Sequence, residues 1–345
     1  MNKGLLKKER DSNMELLRCV AMFLVVLVHT GFLSLGLPTQ EEAVNDPMSV
    51  FMRFLTQSAS VVCVNVFVLL SGWYGIRFNK KRLGNFLFQV LFFSVLIYVV
   101  LVAIYPEKYL NVKSLSMVFL LNGEDYWFVK SYLLLFLLAP FLNGFLEEPK
   151  NRNLVKSILG FFFLFQTIYG WISIRGAIEL EGGYSALFFM GLYVLMRYIK
   201  IYGFPIMKYS SMLYMLFFCV VTIINALVAF LLARMNVIVF GRIFTYTNPL
   251  VILQSLALIF AFSRFKFQNR FVNWIAISSF SVYLTHSNGF ILRPFYGKWI
   301  NFLFENFNTF CFVIYVSITI AIIFLISTLI DKIRLYIWMK LEKLI

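Results

Sequence analysis

The sequence predicts an all-α protein, a polytopic bundle of about ten transmembrane helices with both termini in the cytoplasm. Hydrophobic residues make up 61% of the 345-residue chain and charged residues only 14%, whereas a soluble domain is about 45–50% apolar and about 25% charged. Mean hydropathy is +0.82. The apolar residues fall in runs long enough to cross a bilayer, which takes about 20 residues, and short basic loops separate these runs.

The candidate spans lie at roughly 14–35, 57–76, 86–105, 126–146, 155–174, 184–201, 209–233, 247–263, 271–291 and 302–330. The apolar stretch 114–123 is too short to cross and is predicted to lie at the interface or to re-enter. No loop could hold a separate soluble domain. We therefore expect one membrane domain over 1–345, with a ten-span core at 14–331 and cytoplasmic tails at 1–13 and 332–345.

The loop charges predict the orientation. If the N-terminus is inside, the loops on that side hold 21 Lys and Arg residues and the loops on the other side hold 8. This bias follows the positive-inside rule and favours an even number of spans. The apolar run after MNKGLLKKER is too long for the core of a signal peptide, so a retained first helix is expected.

Composition also excludes several classes of function. The net charge of +15 is concentrated between apolar spans, which is typical of anchors to the inner leaflet and not of a nucleic-acid site. The four cysteines fall inside apolar segments without C-x-x-C spacing, so we interpret them as packing residues. With two histidines on distant spans and no acidic cluster near them, no metal site is expected.

The first span, ELLRCVAMFLVVLVHTG at 15–31, carries Glu15, Arg18 and His29. A charge at a helix centre costs about 2.5–3.5 kcal/mol on insertion scales. The 11-residue spacing of Arg18 and His29 places both on one helix face, about 16 Å apart along the axis. Arg18 either snorkels to the inner headgroups with Glu15 as its partner or faces the bundle. A histidine as deep as His29 usually faces the interior and is functional.

The other histidine, His286, lies in ISSFSVYLTHSNG. Like the first span, the ninth is predicted to run outward, and His286 lies about 15 residues into it, so the two histidines reach a similar depth. The sequence thus indicates a histidine pair in the outer half of the bundle, with Tyr283 nearby. In the alternative interpretation, His286 only hydrogen-bonds near a helix end.

Other polar residues interrupt the spans. In VCVNVFVLLSGWYG, Ser71 precedes a glycine, which indicates either close helix packing or a ligand-facing position. In EDYWFVKSYLLLFLLAPF, Lys130 follows Trp127 by three residues, so both lie on one face. They either anchor the span at the interface or form a polar mouth with Glu124 and Asp125.

Taken in order, these segments resemble the membrane acyltransferase-3 family. Arg18 and His29 match its Arg-x10-His pattern, and Glu15 stands where the family often has an acidic residue. NVFVLLSGWY resembles its second-span motif, KKRLGNF the basic stretch that follows, YWFVKSYLLLFLLAP its Trp-anchored fourth span, and SSFSVYLTHS its late motif ending in histidine. Trp73 replaces the usual Tyr or Phe, and Asn65 replaces an Asp of many members, so no proton-transfer role is assigned to Asn65.

The resemblance implies an O-acyltransferase in the cell membrane (plasma or inner). It would move an acyl group, acetyl or succinyl by expectation, from cytoplasmic acyl-CoA to a hydroxyl of an envelope or surface polysaccharide or its lipid-linked precursor. Acyl-CoA would be a co-substrate, with no bound cofactor. The partners would be acyl-CoA, the glycan acceptor and membrane lipid, and no nucleic acid.

The predicted site residues divide by role. The catalytic residues are His29 and His286; the donor phosphates are bound by Arg18, Arg77, Lys81 and Arg82; the supporting residues are Glu15, Ser71 and Tyr283; and the acceptor side holds Trp127 and Lys130. His29 is either a general base or a carrier of the acyl group. An imidazole pKa near 6.5 suits both roles.

Two other interpretations stay open. Buried ionisable residues also mark transport pathways, so a transporter or exporter of a polysaccharide or lipid-linked glycan is the alternative function. Against it, only one strongly polar group and no inverted repeat are visible in the sequence. A sensor or structural membrane protein is the third interpretation, for which substituting His29 would change stability more than activity.

Overall fold

The computed structural model describes residues 10–120, 126–173 and 180–343, and in these ranges the chain is helical, without strands. The α-helices are α1 (Ser12–Thr30), α2 (Phe32–Leu35), α3 (Gln40–Asn45), α4 (Pro47–Ser60), α5 (Cys63–Tyr74), α6 (Lys80–Ile104), α7 (Pro106–Tyr109), α8 (Val112–Val118), α9 (Trp127–Glu147), α10 (Arg152–Phe165), α11 (Ala186–Tyr202), α12 (Ser211–Arg234), α13 (Pro249–Arg264), α14 (Arg270–Ile277), α15 (Ser279–His286), α16 (Lys298–Asn306) and α17 (Thr309–Leu341). The segments Gln166–Ile172 and Leu292–Gly297 are π-helical. The predicted all-α fold class is confirmed.

Among the described residues, eight helical segments are long and apolar enough to cross a membrane: Ser12–Leu35, Pro47–Tyr74, Lys80–Ile104, Trp127–Glu147, Pro149–Ile172, Ser211–Arg234, Gly241–Arg264 and Thr309–Leu341. They coincide with eight predicted spans. The other two predicted spans, 184–201 and 271–291, correspond to the shorter α11 and to α14 and α15, which are separated at Ser278. The polytopic bundle is confirmed, whereas ten spans and cytoplasmic termini stay predictions.

Side-chain caps start helices at the ends of several predicted loops. Asn79 Oδ1 accepts hydrogen bonds from the backbone N–H groups of Lys81 and Arg82 at the start of α6. Asn269 and Asn308 cap α14 and α17 in the same way. These bonds satisfy N–H groups that have no partner within the helix, so they define where each span begins.

Helix α1 lies in the centre of the bundle, in contact with α4, α5, α13, α14 and α15. Leu17, Ala21 and Val26 are fully buried in these contacts. On the neighbouring α5, a Cβ atom at Gly72 would lie 2.7 Å from the carbonyl oxygen of Tyr193 on α11. Gly72 therefore permits close packing of α5 on α11, as small residues do between membrane helices.

The break between α14 and α15 places His286. Ser278 has φ −100° and ψ 3° and ends α14, and the Ser281 hydroxyl donates to the carbonyls of Ser278 (2.6 Å) and Ser327 (2.9 Å). These bonds attach the start of α15 to α17, and α15 also contacts α1. His286, the last residue of α15, thereby meets the C-terminal half of α1 at His29.

Helix α17 is 33 residues long and continues to Leu341, through most of the segment predicted as a tail. It carries a buried ion pair in which Arg334 Nη2 lies 2.7 Å from Asp331 Oδ1. Asn85 and Gln89 of α6 complete the group: Arg334 Nη1 donates to Asn85 Oδ1 (2.5 Å) and Gln89 Nε2 donates to Asp331 Oδ1 (2.9 Å). We refer to these four residues as the ion-pair cluster.

Candidate active site

The structure brings the two histidines of the chain into direct contact. His29 Nδ1 lies 3.0 Å from His286 Nε2, and the ring centroids are 4.8 Å apart. An N–H···N hydrogen bond needs one donor and one acceptor, so the two rings share one proton across this contact. His286 is 2% exposed and lies behind His29, which faces an internal cavity.

Further contacts fix the His286 ring. Its Nδ1 lies 3.2 Å from Ser287 Oγ. The Tyr296 ring meets the His286 ring edge-on, at 4.9 Å and 82°, and the Tyr296 hydroxyl donates to the carbonyl of Val26 (3.1 Å). Because Val26 is one turn before His29 on α1, this bond ties the wall behind His286 to the helix that carries His29.

The cavity beside His29 has a volume of about 880 Å³, which is in the upper part of the usual range for ligand sites. Met22, Val25 and His29 line it along one stripe of α1. It reaches the surface near Leu37, which is 51% exposed, and near the exposed Arg293. A cavity of this size, apolar along α1 and with an imidazole in its wall, suits a reaction between two bound groups.

Five aromatic rings form a group at the wall of the cavity, and three of them, Phe128, Phe280 and Tyr283, line it. The rings form a closed series of contacts from Phe86 to Tyr132, Phe128, Tyr283, Phe280 and back, with centroid distances of 5.5–5.9 Å. We call this group the aromatic cycle. Tyr283, predicted as a supporting residue, is therefore part of the cavity wall.

Arg18 lies at the other end of the same α1 stripe. Its Nη1 is 2.6 Å from Glu15 Oε2, and Arg10 approaches Glu15 Oε1 at 3.5 Å. The intrahelical ion pair that the spacing allowed is therefore present. The Arg18 side chain is 29% exposed, so it remains accessible to a ligand while it is paired.

A second cavity of about 510 Å³ lies beyond Arg18. Met14, one turn before Arg18, lines it together with Asp11, Asn13, Trp73, Lys200, Ser263, Phe265, Lys266, Phe267 and Gln268. The Lys200 ammonium lies 3.6 Å from the centre of the Trp73 ring. Arg18 thus stands between two cavities, one containing lysines and an indole and the other containing the histidine.

The structure does not place the predicted loop cations in either cavity. Arg77, Lys81 and Arg82 are exposed, and Lys81 Nζ pairs with Glu342 Oε1 at 3.3 Å. Sequence analysis selected them because they are clustered in the chain. The lysines that line the second cavity lie far apart in sequence, so no local pattern indicates them.

On the acceptor side, Trp127 is part of the cavity wall. Its ring lies 4.4 Å from that of Tyr184 and stacks at 6.0 Å on Tyr246, and all three residues line the cavity. Lys130 does not line it. Glu124 and Asp125, the other residues of the predicted mouth, lie outside the described ranges.

Ser71, the other predicted supporting residue, lies away from the cavity lining. Its hydroxyl is 3.1 Å from the carbonyl of Phe67, within its own helix, and 3.1 Å from the hydroxyl of Tyr132 in the aromatic cycle. The contact connects α5 to α9. Ser71 therefore supports the wall of the cavity from behind.

Several residues of the site were not predicted from the sequence, among them Tyr184, Tyr246, Tyr296, Ser287 and Gln57. Ser287 directly follows His286 in the sequence. A hydroxyl next to a candidate catalytic histidine was the signal that could have indicated its contact with the His286 ring. Gln57 of α4 lines the cavity, is 7% exposed, and has no hydrogen-bond partner for Oε1. Nothing in the local sequence around Gln57 indicates this, because α4 meets α1 only through the fold.

The donor set does not fit a metal ion. Among the described residues, no group of three or more His, Cys, Asp and Glu side chains lies together. The pair of imidazoles is hydrogen-bonded internally, which occupies the nitrogen that a second metal bond would need.

The fold and this cavity define an integral-membrane protein with an internal site suited to proton transfer. A family model described as an acyltransferase domain matches residues 11–328, nearly the whole chain. The chain therefore belongs to the membrane acyltransferase-3 family, and it is an acyltransferase. No curated protein and no solved structure matches it.

Proposed function

We propose that the protein is a membrane O-acyltransferase that moves an acyl group, acetyl or succinyl, from acyl-CoA to a hydroxyl of a surface polysaccharide or its lipid-linked precursor. The observation that supports this chemistry best is the His29–His286 contact of 3.0 Å at the wall of a cavity. Buried histidines joined in this way are suited to general-base catalysis. The membrane would be the plasma or inner membrane, as the resemblance to the family implies.

The donor would lie along α1. Its phosphates carry negative charge, and Arg18 with the lysines of the second cavity offers cations at one end of the stripe. The Trp73 ring offers a face on which an adenine can stack. The rise from Arg18 to His29 is about 16 Å, the same order as the arm that joins the phosphates of CoA to its thioester.

The acceptor would enter the main cavity from the surface end. Trp127, Tyr184 and Tyr246 present aromatic faces there, and sugar rings pack well on such faces. The unpartnered Gln57 Oε1 can accept a hydrogen bond from a sugar hydroxyl. These groups position an uncharged, hydroxyl-rich molecule next to His29.

At His29 the simplest step is direct transfer. The imidazole takes the proton of the acceptor hydroxyl, and the oxygen attacks the thioester carbonyl. The cavity is large enough to hold both reacting groups at once, which favours direct transfer over the acyl-histidine route. His286 would hold the His29 ring in position.

The test is CoA release from acetyl-CoA and succinyl-CoA in membranes that contain envelope glycans. We expect wild type to consume one donor, His29→Ala to lose turnover, and Arg18→Ala mainly to raise the KM for the donor. Arg270→Ala, an exposed arginine that lines neither cavity, is the matched control. If wild type consumes neither donor, the proposal is wrong, and transport of a glycan becomes the better interpretation.

A further inference from the structure

Three polar side chains form a continuous hydrogen-bonded series that ends at the main cavity. Ser287 Oγ lies 3.2 Å from His286 Nδ1, and His286 Nε2 lies 3.0 Å from His29 Nδ1. Both ring nitrogens of His286 are thus engaged, whereas on His29 only Nδ1 has a hydrogen-bond partner among the described residues. His29 Nε2 is therefore the nitrogen at the end of the series, and both end residues, His29 and Ser287, line the cavity.

The series has two possible proton arrangements when both rings are neutral. In the first, His29 Nδ1–H donates to His286 Nε2, and His286 Nδ1–H donates to Ser287 Oγ; His29 Nε2 is then unprotonated. In the second, every donor is reversed, and His29 Nε2 carries the proton. In a histidine ring, the hydrogen bond made by one nitrogen determines whether the other nitrogen carries the proton. The bond between Ser287 and His286 therefore influences the tautomer of His29.

We propose that Ser287 is a positioning residue that holds the pair in the first arrangement, with His29 Nε2 as an unprotonated base facing the cavity. This inference rests on the proposed acyl transfer, because only the first arrangement offers a base to an acceptor hydroxyl. In that arrangement Ser287 Oγ accepts from His286, so its own O–H is free to donate into the cavity. Among the described residues, this single arrangement of protons leaves an unprotonated base at His29 and a hydroxyl donor at Ser287, both in the cavity wall.

The structure keeps the series from rearranging by rotation of the ring. Turning His286 over would exchange its nitrogens with carbons, and the Tyr296 ring packed edge-on against it opposes this motion. Tyr296 is itself 5% exposed and tied to α1 by its bond to Val26. Without the Ser287 oxygen, the His286 Nδ1–H would be a buried donor without a partner, which is unfavourable, and the second arrangement would become preferred.

The transfer step balances within this scheme. The acceptor O–H bond breaks and its proton moves to His29 Nε2, while the oxygen forms a bond to the thioester carbon. The C–S bond then breaks with its electron pair going to sulfur, and the imidazolium returns the proton to the thiolate. The products are an ester and a thiol, and no proton is gained or lost overall.

Nuclear magnetic resonance tests the proton pattern without any turnover. The chain has only two histidines, so ¹⁵N-histidine labelling in lipid nanodiscs gives four ring nitrogens to assign. His286→Gln leaves a single labelled ring and identifies His29. We expect His29 Nε2 to be unprotonated in wild type and protonated in Ser287→Ala, with Ser287→Thr restoring the wild-type pattern.

Kinetics provide the second readout. Ser287→Ala should lower kcat about tenfold, the effect of one hydrogen bond, with little change in the KM for acyl-CoA, and Ser287→Thr should recover most of it. His286→Gln, whose amide oxygen can accept from His29 Nδ1–H, should retain more activity than His286→Leu. The control is Thr285→Val, which removes a hydroxyl that donates to the Ser281 carbonyl (2.9 Å) outside the series.

The two readouts separate the possible failures. If Ser287→Ala leaves the ¹⁵N pattern unchanged, or if wild type shows a protonated His29 Nε2, the inference is wrong even if acyl transfer is observed. If the ¹⁵N pattern changes as expected but no acyl group is ever transferred, the role of Ser287 in positioning the protons is supported and the proposed function is wrong. Loss of kcat in Thr285→Val equal to that in Ser287→Ala would also contradict the role of Ser287.

Discussion

The histidine pair and the ion-pair cluster are two buried groups of ionisable residues in the same bundle, the first on α1 and α15 and the second on α17 and α6, and they differ in their surroundings. His29 faces a cavity of about 880 Å³. Its Nδ1 makes the contact with His286, and its Nε2 takes no part in that contact. Asp331 and Arg334 are 0% and 1% exposed, line neither cavity, and bond to each other and to α6. One group has access to a ligand, and the other holds two helices together.

This difference limits what burial alone indicates. An ionisable residue inside a membrane span is a functional candidate by default, yet the ion-pair cluster pairs its two opposite charges with each other and so has a structural explanation. A neutral pair next to a cavity retains a free nitrogen for chemistry. Both groups are buried, but only the histidine pair borders a cavity that a ligand can enter.

The largest expected effect is on turnover. Replacing both His29 and His286 by Leu should lower acyl transfer by at least about 10²- to 10⁴-fold, the usual contribution of a general base. Because two neutral rings are exchanged for apolar side chains, thermal unfolding in detergent should change little. Measurements of CoA release and of the unfolding midpoint test this prediction. If the double variant loses much stability but keeps its activity per folded molecule, the two histidines have a structural role and not a catalytic one.

The next effect is on stability. Asp331→Leu should lower the free energy of unfolding by about 3–5 kcal/mol, because it leaves the Arg334 charge buried without its partner. The double variant Asp331→Leu/Arg334→Leu should recover most of the loss, and CoA release per folded molecule should match wild type in both. Glu342→Gln, which breaks the exposed pair with Lys81, is the control and should cost no more than about 1 kcal/mol.

A smaller effect is expected at the acceptor side of the cavity. Trp127→Ala should raise the KM for the glycan about tenfold, the effect of losing one aromatic contact of about 1.5 kcal/mol, while the KM for acyl-CoA stays constant. Trp274→Ala is the control, since Trp274 is 42% exposed, contacts Phe271 and the Lys332 ammonium, and does not line the cavity. An equal change in both KM values would place Trp127 on the donor path instead.

The smallest effect concerns the ion pair between Glu42, which lies outside the spans, and Arg53 of α4 (2.9 Å). Burial raises the pKa of Glu42, but the backbone N–H of Thr39 and the Arg53 guanidinium outweigh it, so the pKa lies below the ordinary 4.5. A lowered carboxyl pKa contributes stability at pH above 4.5, and this is lost as the pH falls through the folded pKa. Glu42→Gln should therefore reduce the loss of stability on the acid side of a stability–pH curve. The reduction should be small, because the Glu42 side chain is 42% exposed and solvent screens the pair. An unchanged curve would show that the pair contributes nothing to stability.

The comparison also shows what sequence could predict. The histidine pair was predictable because the chain has two histidines and their depths in the spans follow from helix rise. The ion-pair cluster was missed because charges near the chain end were interpreted as a tail, although Asp331 and Arg334 are spaced to pair on one helix face. The second cavity was missed for a different reason: Asp11, Trp73 and Lys266 meet only after the helices pack.

The aromatic cycle has a consequence for the membrane itself. A protein that opens to water at one end of an internal cavity would conduct ions if the opposite end were also hydrated. Phe128, Phe280 and Tyr283 border the cavity, and Phe86 and Tyr132 complete the cycle of uncharged rings behind them. Such rings hold few waters, so an ion in the cavity would find no hydrated path past them, and the membrane would remain an electrical insulator while the protein binds its ligands.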